Sequence, residues 1–309
     1  MKKLNLKKTN KIKITALVLV VFFNLFILEL ASLSVLSLIP NLSYDPDKIQ
    51  QNFEEYLSLR DNDLGWDTSI NKYRNSRNLI NRINVIDTTL QIDLYGDSFT
   101  YGQGIQEDSK IWSNLLSINT NLIVNNKGVG GFGSDQSYLK YRKNRSQGKI
   151  IVLNHLSENI IRNINQFRHF IYPATQYDFK PIFIIDADSI KLIEMPDINL
   201  SQISKFKKNP NTFVKHDYFK VGYSSGIIYK RFPFTITLIK SVLYNWKLKA
   251  QIAYFSGYQP FYEKKHKSKG LEITKRIIEN FNKDVIKDKS TPIVTIIPTF
   301  RDFEYYNKY

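Results

Sequence analysis

Polarity along this chain changes in blocks. Residues 1–13 carry six lysines (Lys2, Lys3, Lys7, Lys8, Lys11 and Lys13) and no acid. Residues 14–40, ITALVLVVFFNLFILELASLSVLSLIP, are apolar apart from Asn24, Glu29 and a few hydroxyls. A run of about 25 such residues spans a bilayer as a helix. Glu29 opposes insertion by about 3 kcal/mol, whereas each Leu, Ile, Phe or Val returns roughly 0.3–0.6 kcal/mol. Between Leu17 and Leu36 there are 15 of these residues, worth roughly 4–9 kcal/mol on that scale, so insertion wins. The lysine flank places the N-terminus in the cytoplasm and the rest of the chain outside. A cleaved signal peptide needs small residues at its cleavage site and a shorter apolar core. Ser32-Leu33-Ser34 matches poorly, and the apolar run continues past it. The expectation is a basic cytoplasmic tail, 1–13, followed by a transmembrane signal anchor, 14–40.

Residues 41–90 are polar and read as a tether and lead-in with one short helix near Gln50–Leu59. From residue 91 onward, short apolar runs alternate with helical patterns. The runs Gln91–Tyr95, Leu122–Asn125, Lys149–Leu153, Pro181–Ile185 and Pro292–Ile297 suit strands covered on both faces. Crossover helices fit at Ile111–Ser117, Asp135–Lys143, Glu158–Phe167 and Gly270–Lys287. Alternation of this kind predicts an α/β domain, 91–309, built on a parallel sheet. The last two strands are separated by far more chain than one crossover needs. An insertion is therefore expected at about 187–268, with an irregular stretch, Asp186–Tyr229, and an extra helix at Phe232–Ile252.

Composition narrows the chemistry. The chain has no cysteine, which removes disulfides, thiolate metal sites and cysteine nucleophiles. Its four histidines, His155, His169, His216 and His266, share no metal-ligand spacing, so neither a metal nor another cofactor is expected. Of the formal charge of +16, the lysine tail supplies 6 and the rest is dispersed along the chain. Nucleic-acid binding would want a dense basic stripe or a recognisable module, and neither is present.

Sites in such sheets form outside the carboxyl ends of the strands, and three unusual turns fall there. Gly96-Asp97-Ser98 follows the first strand. NNKGVGGFGSDQ, 125–136, follows the second, and NHLSENIIRN, 154–163, follows the third. Each has a plain structural reading. Asp and Ser cap helices. The glycine loop lacks both the GxGxxG spacing and the GKS ending of phosphate cradles. Glu158/Arg162 and Asn159/Asn163 are ordinary i,i+4 pairs.

Taken in order, GDSFTYG, then N-x-G-x-x-G at Asn126–Gly131, then a polar strand-end turn with an Asn, resemble the first three sequence blocks of the SGNH (GDSL-type) hydrolase superfamily. Leu64-Gly65-Trp66, ahead of the first block, is similar to membrane-anchored members of that group. The resemblance implies a three-layer, flavodoxin-like parallel sheet and an acyl-serine mechanism. Ser98 would be the nucleophile, and its backbone N–H, that of Gly131 and the side-chain amide of Asn159 would form the oxyanion hole. Such donors, aimed at developing charge, are each worth about 10²–10³ in rate. The third block departs from the family's Gly-x-Asn-Asp, since it reads Leu156-Ser157-Glu158-Asn159. No Asp-x-x-His, the family's general-base block after the last strand, occurs anywhere. A chain cut short at Tyr309 would account for this; His155, at the end of the third strand, is the alternative base. The implied function is a membrane-tethered serine esterase or acyltransferase acting on an acylated small molecule or glycan, with O-acetyl groups of a surface glycan in view. A different class fits the missing base: a non-catalytic glycan-binding or accessory protein of the envelope on the same scaffold.

Overall fold

The computed structural model describes residues 2–39, 42–67, 74–75, 90–146, 148–172, 175–222, 227–246, 248 and 257–308. Most of the lead-in expected before the domain, 68–73 and 76–89, lies outside the described residues, as does the end of the extra helix at 249–252.

A helix, α1, runs without a break from Lys2 to Leu38. Its stretch Lys13–Leu38 is long and apolar enough to cross a membrane, as the hydropathy of the segment predicts. From Ile14 to Leu28 its side chains are exposed all round. Helix α2, Pro46–Leu59, follows and buries Phe53 and Tyr56 against the domain.

The strands of the main sheet and of one hairpin are β1 Arg74–Asn75, β2 Gln91–Tyr95, β3 Ile123–Asn126, β4 Ile150–Leu156, β5 Ile182–Asp186, β6 Ser189–Ile193 and β7 Thr291–Ile297, beside two-residue pairs Ser43–Tyr44 with Ile228–Tyr229 and Arg60–Asp61 with Gly65–Trp66. One sheet has the order β7-β4-β2-β3-β1. Its four long strands are parallel, and β1 adds an antiparallel edge against Asn125–Asn126. Register is set by pairs such as Leu94 with Val152 and Tyr95 with Leu153. The chain forms short helices α3 Ser98–Tyr101 and α4 Trp112–Thr120 after β2, α5 Ser134–Lys143 after β3 and α6 Asn159–Arg162 after β4. It closes the domain with α7 Ile203–Lys208, α8 Phe234–Tyr244, α9 Gly270–Lys287 and α10 Phe300–Lys308.

Helices cover both faces of the central strands β2, β3 and β4, which bury side chains alternately on each, whereas the edge strand β7, expected to be covered on both faces, has no fully buried residue. Ile92, Leu94, Val124 and Val152 form a small core with Leu116 of α4. Tyr95, Ile151 and Leu153 belong to the large core, which α5 and α9 complete with Tyr141, Ile277, Phe281 and Val285. The apolar stripe of α9 repeats at Ile273, Ile277, Phe281 and Val285, the spacing of a helix packed along one side.

Three expectations need correction. Pro181–Ile185 does not supply a strand of the main sheet. It forms β5, which turns at Ala187-Asp188 and pairs antiparallel with β6 in a hairpin of its own. Ala187 takes the left-handed conformation, φ +50°, that a two-residue hairpin turn demands. The neighbour of β4 is therefore β7, whose flanking chain returns across about 135 residues. The helix expected over Glu158–Phe167 is a single turn, Asn159–Arg162. The stretch 186–229 is not wholly irregular, since it holds β6, α7 and the turn of helix Pro210–Phe213.

Candidate active site at the carboxyl edge of the sheet

After Tyr95 the chain leaves β2 through Gly96, where a Cβ would lie 2.0 Å from Thr100 Oγ1 and 3.0 Å from Asn154 Cβ. No other residue fits that turn. Asp97 then caps α3: its Oδ1 accepts from the Phe99 N–H at 2.9 Å. Gly102, at φ +81°, ends the helix one turn later. Ser98 is the first residue of α3 and is half-exposed at the carboxyl end of β2. Among the described residues its hydroxyl bonds to nothing.

The glycine loop lies directly against this turn. The Val129 N–H donates to Gly96 O at 3.0 Å. Asn126 reaches under α3, donating to Thr100 O at 2.6 Å while its Oδ1 accepts from the Gly128 N–H at 3.0 Å. Gly128 sits so close that a Cβ would meet the Tyr101 nitrogen at 2.5 Å. Gly131, at φ +78°, faces Tyr177, whose ring a Cβ would approach to 2.8 Å. Trp66, fully buried, stacks on Tyr177 with centroids 4.6 Å apart and donates its Nε1–H to Gly130 O at 3.0 Å. The Leu64-Gly65-Trp66 segment is thus a brace for the glycine loop.

Arg162 joins the third turn to the other two. Its Nη1 donates to Asp97 Oδ2 at 3.1 Å, to Phe132 O at 2.9 Å and to Asn159 Oδ1 at 3.0 Å. Its Nη2 reaches Glu158 Oε1 at 3.4 Å. The turns bearing Ser98, Gly131 and Asn159 therefore meet at one edge of the sheet. Asn159 is fully buried, and its Nδ2 has no hydrogen-bond partner among the described residues. Beyond the i,i+4 spacing of Glu158 and Arg162, nothing in the sequence marks Arg162 or Arg168 as part of this edge. Both are buried, and the Arg168 guanidinium stacks over Tyr172 at 4.4 Å.

The electrostatics follow from burial. Desolvation pushes the Asp97 carboxyl above the usual carboxylate range, and the Arg162 charge pulls it part of the way back. Burial also drives Arg168 well below the ordinary arginine range, with Arg162 adding to the effect.

None of the four histidines bonds to Ser98. The strand carrying His155 does neighbour β2, but both ring nitrogens are occupied, Nδ1 by Ser134 Oγ at 2.7 Å and Nε2 by Tyr262 OH at 3.0 Å. Burial lowers this imidazole to about 4, so it is neutral at physiological pH. His169 pairs with Asp178 in the interior, and His266 bonds Ser268 at 2.8 Å. His216 lines an open cleft of about 530 Å³ that includes none of the expected site residues. Beyond β7, Asp302 accepts from the Thr299 N–H at 2.6 Å, from Ser157 Oγ at 2.5 Å and from Tyr258 OH at 3.0 Å.

No family model matches the chain, and no curated protein matches it in sequence.

Proposed function

We propose that this is a membrane-anchored protein with a flavodoxin-like, three-layer domain of the SGNH hydrolase type, acting on acyl esters through Ser98. The observation that supports the reading best is the convergence of three turns, through Arg162, on Gly96-Asp97-Ser98 at the carboxyl edge of a parallel sheet. In this reading Ser98 Oγ attacks the ester carbonyl carbon. The oxyanion is met by the N–H groups of Ser98 and Gly131 and by Asn159 Nδ2, a buried donor without a partner among the described residues. The C–O bond to the leaving alcohol breaks, and that alcohol takes up the proton. Water or an acceptor hydroxyl then receives the acyl group. With the N-terminal lysines in the cytoplasm, the domain faces outward, where O-acetylated surface glycan is a fitting substrate.

Asp302 follows the last strand, where the resemblance places the Asp of the missing block; the residue three further on is Tyr305 rather than His. One observation favours a second, non-catalytic reading as a glycan-binding accessory protein: no histidine bonds to Ser98, and the nearest strand-end imidazole is neutral and fully engaged. A serine without a base is a weak nucleophile. An oxyanion hole without a working triad still retains about 10³–10⁴-fold catalysis over water. The full chain is therefore expected to turn over an aryl acetate weakly, with a modest loss in Ser98→Ala and a loss of similar size or greater in Asn159→Ala. Tight binding of a glycan with no Ser98-dependent turnover of any ester would give the second reading precedence.

A further inference from the structure

Helix α8 has its polarity reversed for a fold in water. Its covered positions are Thr237 and Ser241, and the same stripe continues to Asn245 just past its end. Its exposed positions include Ile236, Ile239, Val242 and Leu243, with Phe232 exposed just ahead of it. A helix in water turns its apolar stripe inward. In lipid, small and hydroxyl-bearing residues line helix contacts and apolar ones face outward.

The first turn of α8 lies against α1. Ser32 Oγ and Thr235 Oγ1 are 3.2 Å apart, and Ser32 and Leu36 are both buried. Glu29 accepts from the Phe234 N–H at 2.5 Å and from the Thr235 N–H at 3.3 Å. These N–H groups open α8, which has no side-chain cap from its own segment. In hydrocarbon they would find no water to replace the carboxylate. Glu29, the one acid in an otherwise apolar span, thus has a use.

The lengths agree. The eleven residues of α8 measure about 16 Å, half of a hydrocarbon core of about 30 Å. Glu29 lies nine residues before the end of α1 at Leu38, about 14 Å along the axis. The chain also reaches α8 beside the place where it leaves α1. Ser43–Tyr44 pairs in parallel with Ile228–Tyr229, and the Lys230 N–H donates to Tyr44 O at 3.1 Å.

We propose that Phe232–Tyr244 is a second membrane element, a half-span embedded in the leaflet next to the domain. Its Ile236, Ile239, Val242 and Leu243 face is covered by lipid acyl chains, and Glu29 holds it against the anchor. Lys240, exposed on the same helix, reaches the headgroups along its aliphatic stem. The inference rests on α1 being a membrane anchor, and it makes the domain a body seated on the bilayer rather than one swinging on a tether.

The chain lacks cysteine, so a single introduced thiol can carry a unique spin label. Leu25→Cys in α1, Ile239→Cys in α8 and Leu200→Cys on the exposed domain surface are prepared in the full chain. Each is reconstituted in vesicles of phosphatidylcholine and phosphatidylglycerol. Collision with oxygen, which enters hydrocarbon, is compared with collision with a water-soluble nickel chelate. The oxygen-to-nickel ratio at 239 should match that at 25 and exceed that at 200 several-fold. In Glu29→Ala the ratio at 239 should fall toward the value at 200. A water-like label at 239 with a lipid-like label at 25 overturns the second element and leaves the anchor standing. A water-like label at 25 overturns both. A label at 239 shielded from both reagents, with spin–spin broadening that grows with protein-to-lipid ratio, assigns the face to a second copy of the chain and overturns the lipid assignment. An unchanged ratio in Glu29→Ala overturns the role given to that carboxyl.

Discussion

Replacing Arg162 by Met should unlock the edge of the sheet. Arg162 is 7% exposed and Asp97 1%, so their 3.1 Å contact is a buried ion pair. Removing one partner of such a pair costs about 3–5 kcal/mol, because the remaining charge stays buried without compensation. Phe132 O and Asn159 Oδ1 lose a donor as well, which places the expected loss toward the upper part of that range. A typical domain has about 5–15 kcal/mol to lose. The deficit should depend on pH. Burial already holds the Asp97 carboxyl above its unfolded value, and Arg162 opposes that shift. Without the arginine the folded carboxyl rises further. The native variant then takes up a proton more readily than the unfolded chain, so it recovers stability as pH falls. The deficit against the parent should be greatest near about pH 8 and smaller near about pH 5. Asp97→Asn combined with Arg162→Met should cost less than the two single changes added together. Urea unfolding of the full chain in mild detergent, followed by tryptophan fluorescence, measures each value. A loss below about 1 kcal/mol, the size of an ordinary surface change, or a deficit indifferent to pH would refute this account of Arg162.

Further outcomes follow from the same structure. Gly131→Ala should cost about 1–3 kcal/mol or more, because φ is +78° and the new Cβ meets the Tyr177 ring at 2.8 Å. Gly104→Ala, at φ +89° with open space around it, should cost only the backbone term of about 1–2 kcal/mol; thermal unfolding compares the two. His155 resists protonation down to about 4, whereas the unfolded chain takes up that proton near 6.5. Stability from this group is therefore lost as pH falls from 6.5 to about 4. At about 1.4 kcal/mol per pH unit the loss is up to about 3 kcal/mol, and the pH slope should shrink in His155→Gln. Trp66→Phe removes the Nε1–H that holds Gly130 O and should cost about 1–3 kcal/mol of stability by leaving that carbonyl short of a donor, as read from the urea midpoint.

Much of the architecture was legible because burial on both faces writes near-continuous apolar runs. Gln91–Tyr95 matches its strand, and Lys149–Leu153 falls within one residue of its own. Pro292–Ile297 also lies within β7, but that edge strand has no fully buried residue, so its apolar run does not reflect cover on both faces. The same signal misled at Pro181–Ile185. A strand in a covered hairpin is as apolar as one in a parallel sheet, and only the alternation of Ser189–Ile193 after a two-residue turn marked the difference. The glycine turns could be read because close approach and positive φ exclude other residues. Arg162 could not, since a buried arginine and an exposed i,i+4 partner look alike in sequence, and Asp97 lies 65 positions away. Glu29 was legible only as an obstacle to insertion; its partners in α8 are more than 200 residues distant, beyond any local pattern.

The proposed role of Ser98 is tested most directly by trapping the acyl group on it. An activated aryl ester can acylate a serine that lacks a base, whereas water without a base attacks the resulting unactivated acyl-serine more slowly still, so an acyl-serine should accumulate. The full chain in detergent is incubated with an aryl acetate, quenched in acid, digested and analysed by mass spectrometry. One acetyl group on the peptide containing Ser98, absent from Ser98→Ala and from urea-unfolded protein, is the expected result. Acetylation spread over lysines with none on Ser98, or equal labelling of folded and unfolded chains, would contradict the nucleophile assignment.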